Sequence, residues 1–219
     1  MNLLTLTADG SNTFFNENIG ENYHSKHGAV QESKHVFIDA GLKNILGKTK
    51  KIEIFEVGFG TGLNFLLTLE ECLNNDCELY YTSLEPFPLT LEDIKLLNHH
   101  EFVSEETWAI FQKLYKINSP QNSYNNINLH ISRATLEDFN PSSKFDLIYF
   151  DAFSVRHQPE LWSDEIINKT CSFLKPLGIF VTYAITGKLK RAVKAANCTI
   201  EKLPGAPGKR EMLRATKNL

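Results

Sequence analysis

The sequence predicts an α/β fold: a seven-stranded, mostly parallel, doubly wound sheet with an antiparallel C-terminal strand, preceded by an N-terminal β-hairpin extension. Three observations predict it. After Lys51, short β-rich apolar runs alternate with segments whose apolar residues recur at helical spacing. Phe145 to Phe153 (FDLIYFDAF) is nearly continuous in apolar character, as expected of a strand buried on both faces. The last two strand-like runs are joined only by Gly205-Ala206-Pro207-Gly208, too short for a crossover helix, so they should pair antiparallel.

Each element has its own signal. LLTLT and NTFFN flank Asp9-Gly10-Ser11, a turn sequence that predicts a hairpin. A polar, aromatic-dotted segment from Glu21 to Lys34 leads into an apolar patch, His35 to Leu42. KIEIFEVG is the first parallel strand, and Leu63, Leu66, Leu67, Leu69 and Leu73 mark the following helix. ELYYTSLE is the second strand, followed by a helical region from Thr90 to about Lys116, broken near Asn98. Asn118 to Asn128, with Pro120 in it, reads as a polar loop, and INLHIS as the third strand. FDLIYFDAF is the fourth strand, Pro159 to Leu174 a helix that stops before Lys175-Pro176-Leu177-Gly178, and GIFVTYA the fifth strand. Gly187 to Ala196 is a basic helix, and CTIEKLP and REMLRAT are the final two strands. With no linker, repeat or low-complexity tract, the simplest organisation is an extension over residues 1–45 packed on a Rossmann-like domain over residues 46–219.

The 219 residues carry a net charge of −3 and 42% hydrophobic residues, which excludes a uniformly basic nucleic-acid coat and a disordered chain. No run approaches a membrane span, and the N-terminus lacks the features of a secretory signal. Cys72, Cys77, Cys171 and Cys198 fit neither a zinc knuckle nor a C-x-x-C pair, so they are expected to be reduced, mostly buried thiols of a cytoplasmic protein. The seven histidines show no metal-ligand spacing, and no metal is expected. The charge is uneven: from Thr186 onward nine basic residues face only Glu201 and Glu211. This tail is either a solvated helix and edge strand or a surface for a phosphate-bearing partner.

The sharpest motif is Glu56-Val57-Gly58-Phe59-Gly60-Thr61-Gly62, between the first parallel strand and its helix. Glycines there let the backbone turn tightly and approach a ligand that a Cβ would exclude. A dinucleotide fingerprint would need glycine at position 63, where this chain has leucine. Glu56-x-Gly58-x-Gly60-x-Gly62 instead resembles the glycine loop of S-adenosylmethionine-dependent methyltransferases. Glu85 ends the second strand, 23 residues beyond the last loop glycine, where an acidic side chain can take both ribose hydroxyls. Asp151 ends the fourth strand, at the sheet edge where ligands bind in such folds.

FEVGFGTGLNFL, SLEPFPLT, YFDAF followed by Gln158 to Trp162, GKREML and the upstream Glu32 to Phe37 together resemble the methyltransferase half of the bifunctional tRNA 5-methylaminomethyl-2-thiouridine biosynthesis family. The similarity runs from about residue 20 to 215. It implies a class I S-adenosylmethionine-dependent methyltransferase, here in stand-alone form, that N-methylates a 5-aminomethyl group on the wobble uridine of tRNA. It further implies cofactor contacts from Glu56, Gly58, Phe59, Gly60, Thr61, Gly62, Asn64, Glu85 and Pro86. Asp151, also at the cofactor, would position the substrate amine as the catalytic residue. The tRNA anticodon arm would engage Lys188, Lys190, Arg191 and Lys194 on the basic helix, with Lys209 and Arg210 in the GKREML segment.

The chain departs from that pattern in places. It has no room for the fused flavin-dependent half, whose oxidase activity is expected to be absent. The loop D-A-F-S-V replaces the family's D-G-F-A-P, and Ser132-Arg133 stands where Gly-Asp is common. Two rival functions remain: a small-molecule amine methyltransferase or aminopropyltransferase-like enzyme, and a non-catalytic cofactor-binding module.

Overall fold

A computed structural model describes residues 2–116, 119 and 121–219. The predicted hairpin is β1 (Asn2–Leu6) with β2 (Asn12–Asn16), paired antiparallel. Its turn is tied internally: Asp9 Oδ1 accepts from the Ser11 amide at 3.1 Å and the Thr7 hydroxyl at 2.7 Å. A third short strand, β3 (Glu21–Asn22), extends the hairpin into a three-stranded sheet. Helix α1 (Ala29–Ser33) runs directly into a π-helical turn over Lys34–Asp39, and this stretch buries Ala29, Val30, Val36, Phe37 and Ile38.

The main sheet is built from β4 (Lys51–Val57), β5 (Glu78–Leu84), β6 (Gln121–Tyr124), β7 (Ile127–Ser132), β8 (Phe145–Phe150), β9 (Leu174–Thr182), β10 (Cys198–Pro204) and β11 (Glu211–Lys217). Their spatial order is β10-β11-β9-β8-β4-β5-β7-β6. The inner pairs β7/β5, β5/β4, β4/β8 and β8/β9 are parallel, whereas β11 runs antiparallel to both β9 and β10. From β4 the chain winds outward one way through β5 and β7, then returns to the other side of β4 with β8. The strand order therefore reverses between β4 and β8, which opens a crevice at their carboxyl ends.

Three expectations are corrected. The sheet has eight strands, because β6 pairs antiparallel with β7 inside the segment expected to be a loop. Gln121–Tyr124 is a polar edge strand, so it carries no apolar alternation, and Asn125 at φ 51° turns the chain back onto β7. Asn118 and Pro120 of that segment lie outside the described residues. The helix expected over Pro159–Leu174 divides into a 3-10 turn (Pro159–Trp162) and α5 (Asp164–Ser172), because Ser163 caps α5 by accepting from the Ile166 amide. Strand β9 then starts at Leu174, and Lys175-Pro176-Leu177-Gly178 belongs to it. The register with β8 shifts there and Leu177 takes φ 63°, so the apparent breaker is a bulge.

The remaining helices are α2 (Leu63–Asn74), α3 (Leu91–Lys95), α4 (Glu105–Leu114) and α6 (Gly187–Ala195). One sheet face packs α2 and α4 with the 29–45 stretch around Phe37, Phe65, Phe111 and Tyr81. The other packs α5 and α6 around Phe55, Phe150, Phe180 and Trp162. These two apolar layers fix the central strands, and with them the loops at their carboxyl ends.

Candidate active site

The ends of β4, β5 and β8 meet at a cavity of about 970 Å³. Gly58, Phe59, Gly60, Thr61, Asn64, Glu85, Pro86 and Asp151 all line it, so sequence-distant candidates converge on one space. Glu56 and Gly62 do not line it and lie behind the loop.

Close backbone approach explains two glycines. Gly58 has φ 88°, and a Cβ there would sit 2.7 Å from the Asp151 carbonyl oxygen. Gly60 has φ 51°, and its Cβ would stand 3.0 Å from the Tyr23 ring. Its amide donates to Glu85 Oε2 at 2.9 Å, while Glu85 Oε1 accepts from the Phe87 amide at 3.0 Å. Each carboxylate oxygen keeps a second lone pair, so Glu85 can still accept two hydroxyls of a ligand. Burial raises the Glu85 pKa above the ordinary carboxylate range. Phe59 turns its ring into the core, stacked on Tyr115 at 5.5 Å, which leaves its backbone for a ligand. The Thr61 hydroxyl meets His24 Nε2 at 3.3 Å, and His24 Nδ1 pairs with the Thr13 hydroxyl at 3.1 Å. Burial holds His24 down to about 4, so this tie to the N-terminal sheet is a neutral one.

Beneath the cavity lies a buried polar relay. Asn64 Nδ2 donates to Glu56 Oε1 at 3.0 Å and to Asp151 Oδ2 at 2.8 Å. The Ser33 hydroxyl donates to Asn64 Oδ1, and the Ser83 hydroxyl to Glu56 Oε2 at 2.8 Å. The amide nitrogen thus faces the two carboxyl groups, and its oxygen faces the Ser33 hydroxyl. Desolvation raises Glu56 to about 8 and Asp151 to about 7. Asn64, expected as a cofactor contact, thus also joins the loop acid to the strand-end aspartate. An asparagine at the start of a helix carries no such signal in sequence.

The basic residues separate into two groups. Lys209 is inside: its Nζ lies 2.6 Å from Glu32 Oε1 and 3.6 Å from the Tyr183 ring centroid, on the cavity wall. Its charge is matched by Glu32, which sets it apart from the exposed basic residues of the tail. Lys188, Arg191, Lys194 and Arg210 are exposed, and Lys190 is half-buried on α6. Sequence reasoning gave no site role to Tyr23, Glu32 or Tyr183. Glu32 stood within a family-like segment, but its partner is 177 residues away.

A glycine-shaped backbone cradle, an acid with spare acceptor sites and a cavity of ligand size fit an S-adenosylmethionine group. Among the described residues no cluster of His, Cys, Asp or Glu could hold a metal ion, and no helix is long and apolar enough to cross a membrane. All four cysteines are free and buried.

Fold and site thus define a cofactor-binding α/β enzyme of the methyl-transferring type. The chain belongs to the S-adenosyl-L-methionine-dependent methyltransferase family whose pattern matches residues 95–218. Its relatives include the tRNA 5-methylaminomethyl-2-thiouridine biosynthesis bifunctional protein MnmC of Campylobacter hominis, 30% identical over 213 residues, covering 93% of this chain and 31% of that protein. The protein of the same name from Actinobacillus pleuropneumoniae serotype 5b is 28% identical over 234 residues, covering 97% of this chain and 35% of that protein. The chain therefore spans about a third of the length of these curated relatives. The crystal structure of MnmC2 from Aquifex aeolicus superposes with a TM-score of 0.79 at 23% identity, over 98% of this chain and 70% of that one, and shares the fold.

Proposed function

We propose that this enzyme methylates the primary amine of 5-aminomethyl-(2-thio)uridine at the wobble position of tRNA, giving the 5-methylaminomethyl nucleoside. The observation that carries the proposal is Asp151: it lines the cavity beside Gly58 and Gly60 with a carboxyl shifted to about 7. The printed names of the relatives, which concern 5-methylaminomethyl-2-thiouridine in tRNA, support the substrate class.

Bound S-adenosylmethionine supplies an electrophilic methyl group on a sulfonium. Gly58, Gly60 and Glu85 are assigned to holding it, with Thr61 and Pro86 on the same wall. Phe59 would contribute backbone, and Glu56 and Gly62 would act from behind by shaping the loop. Asp151 accepts the N–H of the substrate amine and aims its lone pair into the cavity. Alkylamines are mostly protonated near neutral pH, so a proton must leave before the N–CH3 bond forms. An aspartate raised to about 7 is a far better acceptor for it than an ordinary one. Asn64 holds Oδ2, leaving Oδ1 as the atom to face the amine.

On this reading residues 1–45 are an extension that walls the substrate side, residues 46–219 form the catalytic domain, and the enzyme works in the cytoplasm. The exposed charges of Lys188, Arg191, Lys194 and Arg210, with Lys190, would meet phosphates of the anticodon arm. An aminopropyltransferase-like pocket would need unengaged carboxylates around a polyamine. Glu32 is bound to Lys209 and Glu21 to a backbone amide, whereas exposed Glu137 and Glu160 also line the cavity, so the substrate assay separates this second reading from the first. The test is Asp151→Ala: methyl transfer to tRNA is lost while S-adenosylmethionine affinity stays within about twofold of wild type. Unchanged methylation by that variant would remove Asp151 from the mechanism. Cofactor binding by a wild type that methylates nothing would favour the non-catalytic module.

A further inference from the structure

The loop after Asp151, Ala152-Phe153-Ser154-Val155, contains no proline to fix its backbone, and that backbone is held by side chains around it. The Asp151 amide donates to the Val57 carbonyl at 3.0 Å. The Tyr183 hydroxyl donates to the Ala152 carbonyl at 2.9 Å, and Trp162 Nε1 to the Phe153 carbonyl at 2.8 Å. These three ties come from the catalytic domain.

The fourth side belongs to the N-terminal sheet. Glu21 Oε2 accepts the Ser154 amide at 2.8 Å, across 133 residues of sequence. Ser154 is the residue whose carbonyl begins the next turn, accepting from the His157 and Gln158 amides. His157 Nδ1 donates to the Ile19 carbonyl at 2.8 Å, since the carbonyl oxygen can only accept. Tyr23 packs its ring on Phe153 at 5.1 Å. Ile19, Glu21, Tyr23, Phe153 and Ser154 all line the cavity. The β2–β3 connection and β3 thus grip the loop at its backbone, one ring and one imidazole, all within six residues of Asp151.

We propose that Glu21 is a positioning residue for methyl transfer: its carboxylate fixes the Ser154 amide, and through it the loop that presents Asp151 and Phe153 to the substrate amine. The hydrogen bond of Glu21 goes to the loop that follows Asp151, whereas Glu85 is held by the Gly60 and Phe87 amides, which puts Glu21 on the substrate side. His157 and the Ile19 carbonyl form the second half of the same clamp. The inference rests on the proposed methyl transfer to an amine and adds a residue to it.

The test compares wild type, Glu21→Ala and Glu21→Gln, using S-adenosylmethionine and tRNA bearing 5-aminomethyl-uridine. Hydrogen exchange of the 152–158 amides supplies a readout independent of turnover. Glu21→Ala should speed that exchange about tenfold and lower kcat about tenfold, with the cofactor Kd within about twofold of wild type. Glu21→Gln keeps a carbonyl acceptor at the same reach and should recover most of both. Unchanged exchange, or faster exchange with unchanged kcat, overturns the positioning role. A matching loss of cofactor affinity in both variants would make Glu21 merely structural and overturn it too. A wild type inactive on this tRNA would overturn the proposed reaction and any positioning role in it. A wild type that turns over beside an unaffected Glu21→Ala overturns the clamp alone.

Discussion

Replacing Asn64 with leucine removes the side chain that donates to both Glu56 and Asp151, while keeping its γ-branched shape in a somewhat larger volume. A hydrogen bond to a charged group contributes about 1.5–3 kcal/mol, and one pKa unit corresponds to about 1.4 kcal/mol. Without the 2.8 Å bond from Asn64, ionised Asp151 is destabilised by that amount, and its pKa rises from about 7 by about one to two units. At pH 7 the ionised fraction falls from about a half to between about 1% and 10%, so kcat/KM at that pH drops roughly five- to fiftyfold. The assay is the pH dependence of kcat/KM for methyl transfer to tRNA. The acid limb of the variant should move to higher pH by about one to two units, with activity returning to within a few-fold of wild type near pH 9.5. An acid limb that stays in place, or an equal loss at all pH values, would refute the relay. Glu56, already raised to about 8, moves in the same direction, so the limb reports the coupled pair.

Gly58→Ala places a Cβ 2.7 Å from the Asp151 carbonyl oxygen at φ 88°, so calorimetry should show a loss of about 1–3 kcal/mol and titration a cofactor affinity weakened at least tenfold. For Asp151→Asn the linkage runs from low to high pH. A folded pKa raised from 3.8 to about 7 contributes stability that is full below 3.8 and lost as pH rises through about 7. The variant should therefore gain Tm over wild type progressively across that window and then level off; a difference independent of pH would contradict the burial of this charge. Reversing Lys188, Arg191 and Lys194 to glutamate should raise the KM for tRNA and flatten its salt dependence. Lys209→Met should leave the salt slope unchanged, because Glu32 already matches that charge. Equal salt effects from the two sets would contradict the division of the basic tail.

The parts of the site legible in sequence were those that local chemistry marks. Three glycines between a strand and a helix, and acids at the ends of two later strands, announce themselves by position in the chain. The alternation of strands and helices likewise exposes the parallel core, because buried strands must be apolar on both faces. Strand β6 was hidden because a polar edge strand needs no apolar pattern, and its pairing follows from a turn at Asn125. The start of β9 was obscured by Pro176 and Gly178, which read as a break and serve as a bulge. Lys209 read as one more charge in a basic tail, since its partner Glu32 lies in the first helix. Asn64 and Ser33 could not be joined from sequence, because their contact depends on how α1 packs against α2. Long-range polar partnership is a property of the fold, and sequence spacing does not encode it.

The proposed reaction is methyl transfer to the amine of a 5-aminomethyl wobble uridine. The most direct measurement incubates purified protein with S-adenosylmethionine and tRNA carrying that nucleoside, then resolves the digested nucleosides by mass spectrometry. 5-Aminomethyl-(2-thio)uridine should be converted to a nucleoside one methylene heavier, with the added carbon on the side-chain nitrogen, and Asp151→Ala should abolish the conversion. An unchanged nucleoside profile with wild-type protein that binds the cofactor would contradict it.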